Sequence, residues 1–297
     1  MTHVTVGFSG SGASRRALRW ALRDAAATGR PVHVVTVDPG GSGPETVPPS
    51  RALAETLPGE LHRLADRRPT VTTASPVGGT VAELLLAAAG SSALVVGCGR
   101  KVGPVGPGRG RVLRDLVRRV PVPLVLVGPQ AVLTVTRRLL VLSDDDDVTA
   151  GWALAAATTR GADLGLLTAW GGWPEVPADR AGARTRAGQR HERAAVVLAR
   201  GRRRPLRAEI AEGATHDVVA TRVRVGDLVV VGAGEVDDVP LRTARAPVVV
   251  LPARDRTVVL PDTGQRGGQR GGAEGRRAPA GTQVSMSTGR ESGATTT

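Results

Sequence analysis

Two stretches of this chain of 297 residues lie over one another without a gap at an offset of 132 positions. ALRWALRDAAATGRPVHVVTV (Ala17 to Val37) overlies TAGWALAAATTRGADLGLLTA (Thr149 to Ala169), pairing Trp20 with Trp152, Gly29 with Gly161 and Thr36 with Thr168. Further on, LVVG (Leu94 to Gly97) matches VVVG (Val229 to Gly232), and VPLVLV (Val122 to Val127) matches APVVVL (Ala246 to Leu251). A chain that repeats one plan folds that plan twice, so whatever the first half forms the second should form again. The segment AVLTVTR (Ala131 to Arg137) separates the copies.

The first copy reads as strands alternating with helices. VTVGF is a short β-run; SGSGAS supplies turn residues and Ser caps for an Ala-rich helix with Leu18 and Leu22 at i, i+4; Gly29 ends that helix. VHVVTV and PTVTTAS are further strands, and ALAETLPGELHRLADR between them reads as a helix broken at Pro58. VAELLLAAAG and VLRDLVRRV are helices on either side of a fourth strand within Ser91 to Gly97, and PLVLV is a fifth. Near-continuous apolar strands joined through helices predict a parallel sheet covered on both faces, an α/β class. The expected organisation is domain 1 over 1–129, a truncated domain 2 over 137–252, and a disordered Gly/Arg/Ser/Thr-rich tail over 253–297.

The net charge of +13 is carried almost wholly by arginine, since Lys101 is the only lysine among 40 basic residues. That skew accompanies abundant Ala, Gly, Pro and Val and follows a GC-rich coding bias, so it argues little for nucleic acid. With no Tyr, four Trp and Phe8 alone, the chain also lacks the stacking surface of single-strand binders. No stretch reaches the ~20 apolar residues of a membrane helix. MTHVTVGFSG enters a strand with no signal-peptide pattern, and the single cysteine, Cys98, suits a reducing compartment, so the cytoplasm is the expected location.

Three segments, VGFSGSGASRRALRWA, the LVVG of the fourth strand, and Gly110 followed by VLRDLVRRVPVPLVLV, resemble the universal stress protein family. The resemblance covers about residues 3 to 128 well and about 138 to 252 more loosely, and identifies the chain as a tandem member. It implies two doubly wound, Rossmann-like parallel sheets of five strands, order 3-2-1-4-5, with ligand at the switch point and a degenerate second domain. ATP-binding relatives look like V-G-x-D-G-S at the first strand and G-x-x-G-(nine residues)-G-[S/T] after the fourth. Glycines there let backbone N–H groups approach phosphate, and the carboxylate accepts hydrogen bonds from the base. Here Ser9 replaces that Asp, Arg100 the second glycine and Arg111 the final hydroxyl residue, while Gly97 and Gly110 stay in register; Val37 matches the position lining the adenine pocket. The losses predict weak or no ATP affinity and no resident cofactor, ATP being the ligand that the resemblance implies.

Several other signals compete. The loop Gly99 to Arg111 carries Arg100, Lys101, Arg109 and Arg111, which could hold a different anion, although a solvated mobile loop accounts for them equally. SGSGAS resembles the S-G-G-x-D-S loop of ATP pyrophosphatases, with Ser11 for a Gly and Ala13 for the metal-binding Asp. Between Gly232 and Pro247 lie 14 residues, against 25 between Gly97 and Pro123, and those remaining include Glu235, Asp237 and Asp238, which repel an anion. Asp144 to Asp147 read as helix caps rather than a metal site. None of the five histidines (His3, His33, His62, His191, His216) sits at metal spacing, and no Ser, His and Asp set assembles, so no metal and no catalysis are expected. Cys98 reads as a small core residue and GRRRPLR (Gly201 to Arg207) as a solvated turn.

The expectation is therefore a non-catalytic stress-response module acting through unidentified protein partners. A nucleotide or anion sensor using Gly97, Arg100, Gly110 and Arg111 is the alternative, and an ATP-consuming enzyme a remote third. The apolar fifth strands, PVPLVLV and APVVVL, would be hazardous as open edges, so an intrachain pseudo-dimer joined through them is expected. A homo-oligomer through the helical faces stays open, and neither membrane nor nucleic-acid partners are expected.

Overall fold

The computed structural model describes residues 2–38, 48–64, 67–99, 111–143, 147–171, 180–200, 205–233 and 244–252. All of them belong to one compact unit spanning Met1–Leu260. Arg100, Lys101, Arg109, Gly110, Asp144 to Asp146, Gly201 to Arg204, Glu235, Asp237, Asp238 and the tail from 253 lie outside the described residues.

The first half runs β1 (Val4–Gly7), α1 (Gly12–Thr28), β2 (Val32–Val35), α2 (Pro49–His62), β3 (Val71–Ala74), α3 (Thr80–Ala88), β4 (Ala93–Gly97), α4 (Arg111–Arg119) and β5 (Leu124–Val127). The second half adds β6 (Arg138–Leu142), α5 (Asp147–Arg160), β7 (Asp163–Gly171), α6 (Arg180–Ala199), β8 (Arg207–Gly213), α7 (Thr215–Arg222), β9 (Asp227–Gly232) and β10 (Val248–Leu251). The strands join one sheet in the order β3-β2-β1-β4-β5-β10-β9-β6-β7-β8. Every neighbouring pair is parallel except β5 with β10, which run antiparallel with Val249 opposite Val125. The order on one side of that seam is thus repeated, reversed, on the other.

The α/β class follows from strands that are apolar on both faces. Along β5, Val125 and Val127 face one core layer and Leu124 and Leu126 the other; β10 alternates likewise. Helices α1, α2, α5 and α6 supply side chains to the first layer, and α3, α4 and α7 to the second. Leu18 and Leu22 of α1 are 0% and 1% exposed, so the i, i+4 pair is the helix's core stripe. Among the described residues no helix is long and apolar enough to cross a membrane.

One local expectation fails. Helix α2 runs unbroken through Pro58. Its ring lies on an exposed turn, so the missing N–H leaves a carbonyl facing water and no buried group unpaired. The helix is also anchored before that point, with Pro49 at its first position and buried Ala52 and Leu53, and after it, where Glu60 receives Arg19 of α1 at 2.6 and 2.9 Å.

Candidate functional site

The ends of β1, β2 and β4 open onto a cleft of about 370 Å³ at the point where strand order reverses. This is where an open parallel sheet presents its ligand crevice, and the volume is in the range of small-molecule sites. Gly7, Val35 and Val96 form its floor, with Phe8, Val37 and Leu84 beside them. The rest of its described lining is hydroxyl and backbone from Ser9, Ser11 and Ser14 of the β1–α1 turn, Thr80 and Gly97, together with Pro49 and Val112.

Four helices begin at this cleft. Ser11 is the cap of α1, Pro49 and Thr80 are the first residues of α2 and α3, and Val112 is the second of α4. Each N-terminus brings unpaired N–H groups and the positive end of the peptide dipoles. No ionisable side chain lines the cleft among the described residues, so nothing there offsets that field.

The turn into α1 is built by its own sequence. Gly10 adopts φ 74°, and a side chain there would meet Ala52 Cβ at 3.1 Å. Ser11 then turns extended, and its Oγ accepts the Ser14 N–H at 3.2 Å while Ser14 Oγ donates to the Ser11 carbonyl at 2.9 Å. Ser9 Oγ lies 3.0 Å from Ser11 Oγ, closing a chain of three hydroxyls across the cleft's mouth.

Gly97 has a further structural duty. A Cβ placed on it would fall 2.1 Å from the Ala13 carbonyl oxygen and 2.8 Å from the Ser14 N. The first turn of α1 therefore rests directly on β4, and only glycine permits this.

Of the residues singled out in the sequence, Ser9, Val37 and Gly97 lie around this one cleft. Arg111 opens α4 beside it, exposed and outside its lining, while Arg100 and Gly110 fall outside the described residues. Ser11 and Ser14 were singled out only within the SGSGAS turn, and Phe8, Pro49, Thr80, Leu84 and Val112 were not singled out for a site. The signal that finds most of them is positional: in a parallel doubly wound sheet every helix that follows a strand starts at the same edge. Cys98 is 2% exposed, which makes it a core residue. No group of three His, Cys, Asp or Glu side chains could hold a metal among the described residues.

The second half presents different chemistry at the matching edge. Ser143 follows β6 as Phe8 follows β1, each donating its backbone N–H to the neighbouring strand, at 3.0 Å to Leu167 and 2.9 Å to Val35. Thr168 Oγ1 lies 2.9 Å from His191 Nδ1, and burial holds that imidazole below its ordinary range although Glu192 opposes the shift. The Trp170 ring carries Arg180 and Arg184 at 5.9 Å.

Residues 1–128 match the model of the universal stress protein family. Among solved structures, the chain is similar to a universal stress protein from Archaeoglobus fulgidus, at TM-score 0.58 and 18% identity over 84% of this chain and 98% of that one. It is likewise similar to a putative universal stress protein from Pseudomonas aeruginosa, at TM-score 0.50 and 16% identity over 85% and 93%. A functionally unknown protein of Pseudomonas aeruginosa aligns at TM-score 0.51 and 17% identity over 86% and 94%. At these identities the likeness is one of fold. No curated protein matches the chain.

Proposed function

We propose, on the premise that residues 1–128 are a universal stress protein domain, that this domain binds a nucleotide without turning it over and that the chain acts as a stress-response regulatory module. The observation that carries this is the cleft of about 370 Å³ on which four helix N-termini converge around an apolar floor. An apolar floor suits a base, and convergent N–H groups suit phosphate. The base would lie against Phe8, Val35 and Val37, and the phosphates toward Gly97 and the start of α4.

A hydrolase needs a general base or a metal held near the phosphate. The described lining offers only hydroxyls, with Ser11 and Ser14 engaged in capping α1. Output would then pass to protein partners in the cytoplasm. The antiparallel β5–β10 pair supports an intrachain pseudo-dimer as the unit they recognise, because it closes both apolar edges.

Thermal denaturation with ATP, ADP and cyclic AMP, run beside a phosphate-release assay, tests this. Ligand at a hundred times its dissociation constant should raise the midpoint by about 5–10 °C, with no release above a buffer control. An unchanged midpoint refutes nucleotide binding, and steady release of phosphate refutes the absence of turnover.

A further inference from the structure

The two tryptophans paired by the internal repeat share a second cavity, at the opposite ends of β1 and β4 and on the face covered by α1 and α5. Its volume is about 120 Å³. Trp20 of α1 and Trp152 of α5 line it, and Val125 and Val249 bring both sides of the β5–β10 seam to its lining.

Among the described residues, the charged groups that line it are Asp24, Arg30 and Arg160. Arg160 Nε and Nη2 donate to the two oxygens of Asp24 at 2.8 Å each, and both side chains are 6% exposed. That pair consumes the only carboxylate in the lining among the described residues. Arg30, just past the Gly29 cap, makes no side-chain hydrogen bond or salt bridge among the described residues, although it is half-buried. Burial and the neighbouring Arg160 hold its guanidinium below the usual range, with Asp24 opposing them, as expected of a cation short of a counter-charge. The hydroxyls of Ser92 and Thr159, also in the lining, donate to the carbonyls of His3 and Ala155.

We infer that this cavity binds a compact organic monocarboxylate, its carboxylate on the Arg30 guanidinium and its apolar body between Trp20 and Trp152. Guanidinium N–H groups match a carboxylate in geometry and charge. The apolar seam and the indoles favour a ligand with a ring or short chain over a bare inorganic anion. A cavity of this size admits one ring and excludes a nucleotide. Because one wall belongs to each repeat, such a ligand would strengthen the contact of α1 with α5.

Benzoate titrated into the full chain by calorimetry, with tryptophan quenching as a second readout, tests the inference. The expected result is saturable binding with a dissociation constant of about 1 mM or tighter, weakened at least tenfold by Arg30→Gln and undiminished by inorganic phosphate or ATP. Ala155→Leu, an enlargement at an exposed lining position, should block binding even if Arg30→Gln proves unstable. A linear, non-saturating response, binding indifferent to both variants, or displacement by ATP would each overturn it; the last would assign benzoate to the cleft at the other edge.

Discussion

Replacing Gly97 by alanine should be among the most damaging single-methyl changes available to this chain. The added carbon would sit 2.1 Å from the Ala13 oxygen and 2.3 Å from its carbonyl carbon. Ordinary carbon–oxygen contact begins near 3.4 Å, so the backbones of α1 and β4 must part by about 1 Å in a close-packed layer. Overpacking of this kind costs roughly 1–3 kcal/mol against side chains. Because both sides are backbone and Ala17 and Leu18 behind them are fully buried, about 3 kcal/mol or more is expected. In a domain of this size that lowers the melting midpoint by about 6–12 °C. Gly12→Ala is the control, since nothing lies within 4 Å of its new methyl, and it should be neutral or stabilising by about 0.5 kcal/mol. Urea unfolding followed by circular dichroism reads both variants, and midpoints are comparable if the slope is unchanged. A Gly97→Ala protein within about 0.5 kcal/mol of the parent would refute the close approach, and with it the account of how the cleft is shaped.

Asp24→Asn strands the Arg160 charge in a site 6% exposed and should cost about 3–5 kcal/mol, while the double change Asp24→Leu, Arg160→Met should recover most of it; chemical denaturation of both variants beside the parent checks this. Ser11→Ala removes the cap of α1 and should cost about 0.5–2 kcal/mol, read by the same method. Stability should fall as pH drops through the ordinary histidine value, because burial holds His33 and His191 below it and the unfolded chain then takes up protons first. The fall should continue in acid, where Glu60, held low chiefly by the Arg19 hydrogen bond, is finally protonated. Midpoints measured from about pH 7 to 5 should flatten in a His33→Asn, His191→Asn double variant, and an unflattened curve would reject the assignment.

The class of the fold was legible because the strands are buried on both faces, which leaves runs such as LVVG and PLVLV with no alternation to misread. The match of residues 1–128 to the family model was legible in the β1–α1 turn and the β4 edge, which keep their small residues. Pro58 misled because a proline signal is local, whereas the helix around it is held by burial on one side and by Arg19–Glu60 on the other. The cleft was legible only in part. Ser9, Val37 and Gly97 stand out by motif, but Pro49, Thr80 and Val112 are unremarkable residues whose importance lies in starting helices at a shared edge. For Gly97 the sequence suggests a place for phosphate, and the structure adds a close approach to the backbone of Ala13. Nothing local marks Arg30, whose unmatched charge emerges only once α5 brings Arg160 to Asp24.

Calorimetric titration of ATP into the full chain, beside a Val112→Asp variant, bears most directly on the central claim. Val112 is 39% exposed in the first turn of α4, so a carboxylate there complements the helix dipole and leaves the core intact while repelling phosphate from the cleft. Saturable one-to-one binding by the parent, weakened at least tenfold in the variant, is the predicted result. No heat from the parent at millimolar ATP, or equal affinity in both proteins, would contradict it.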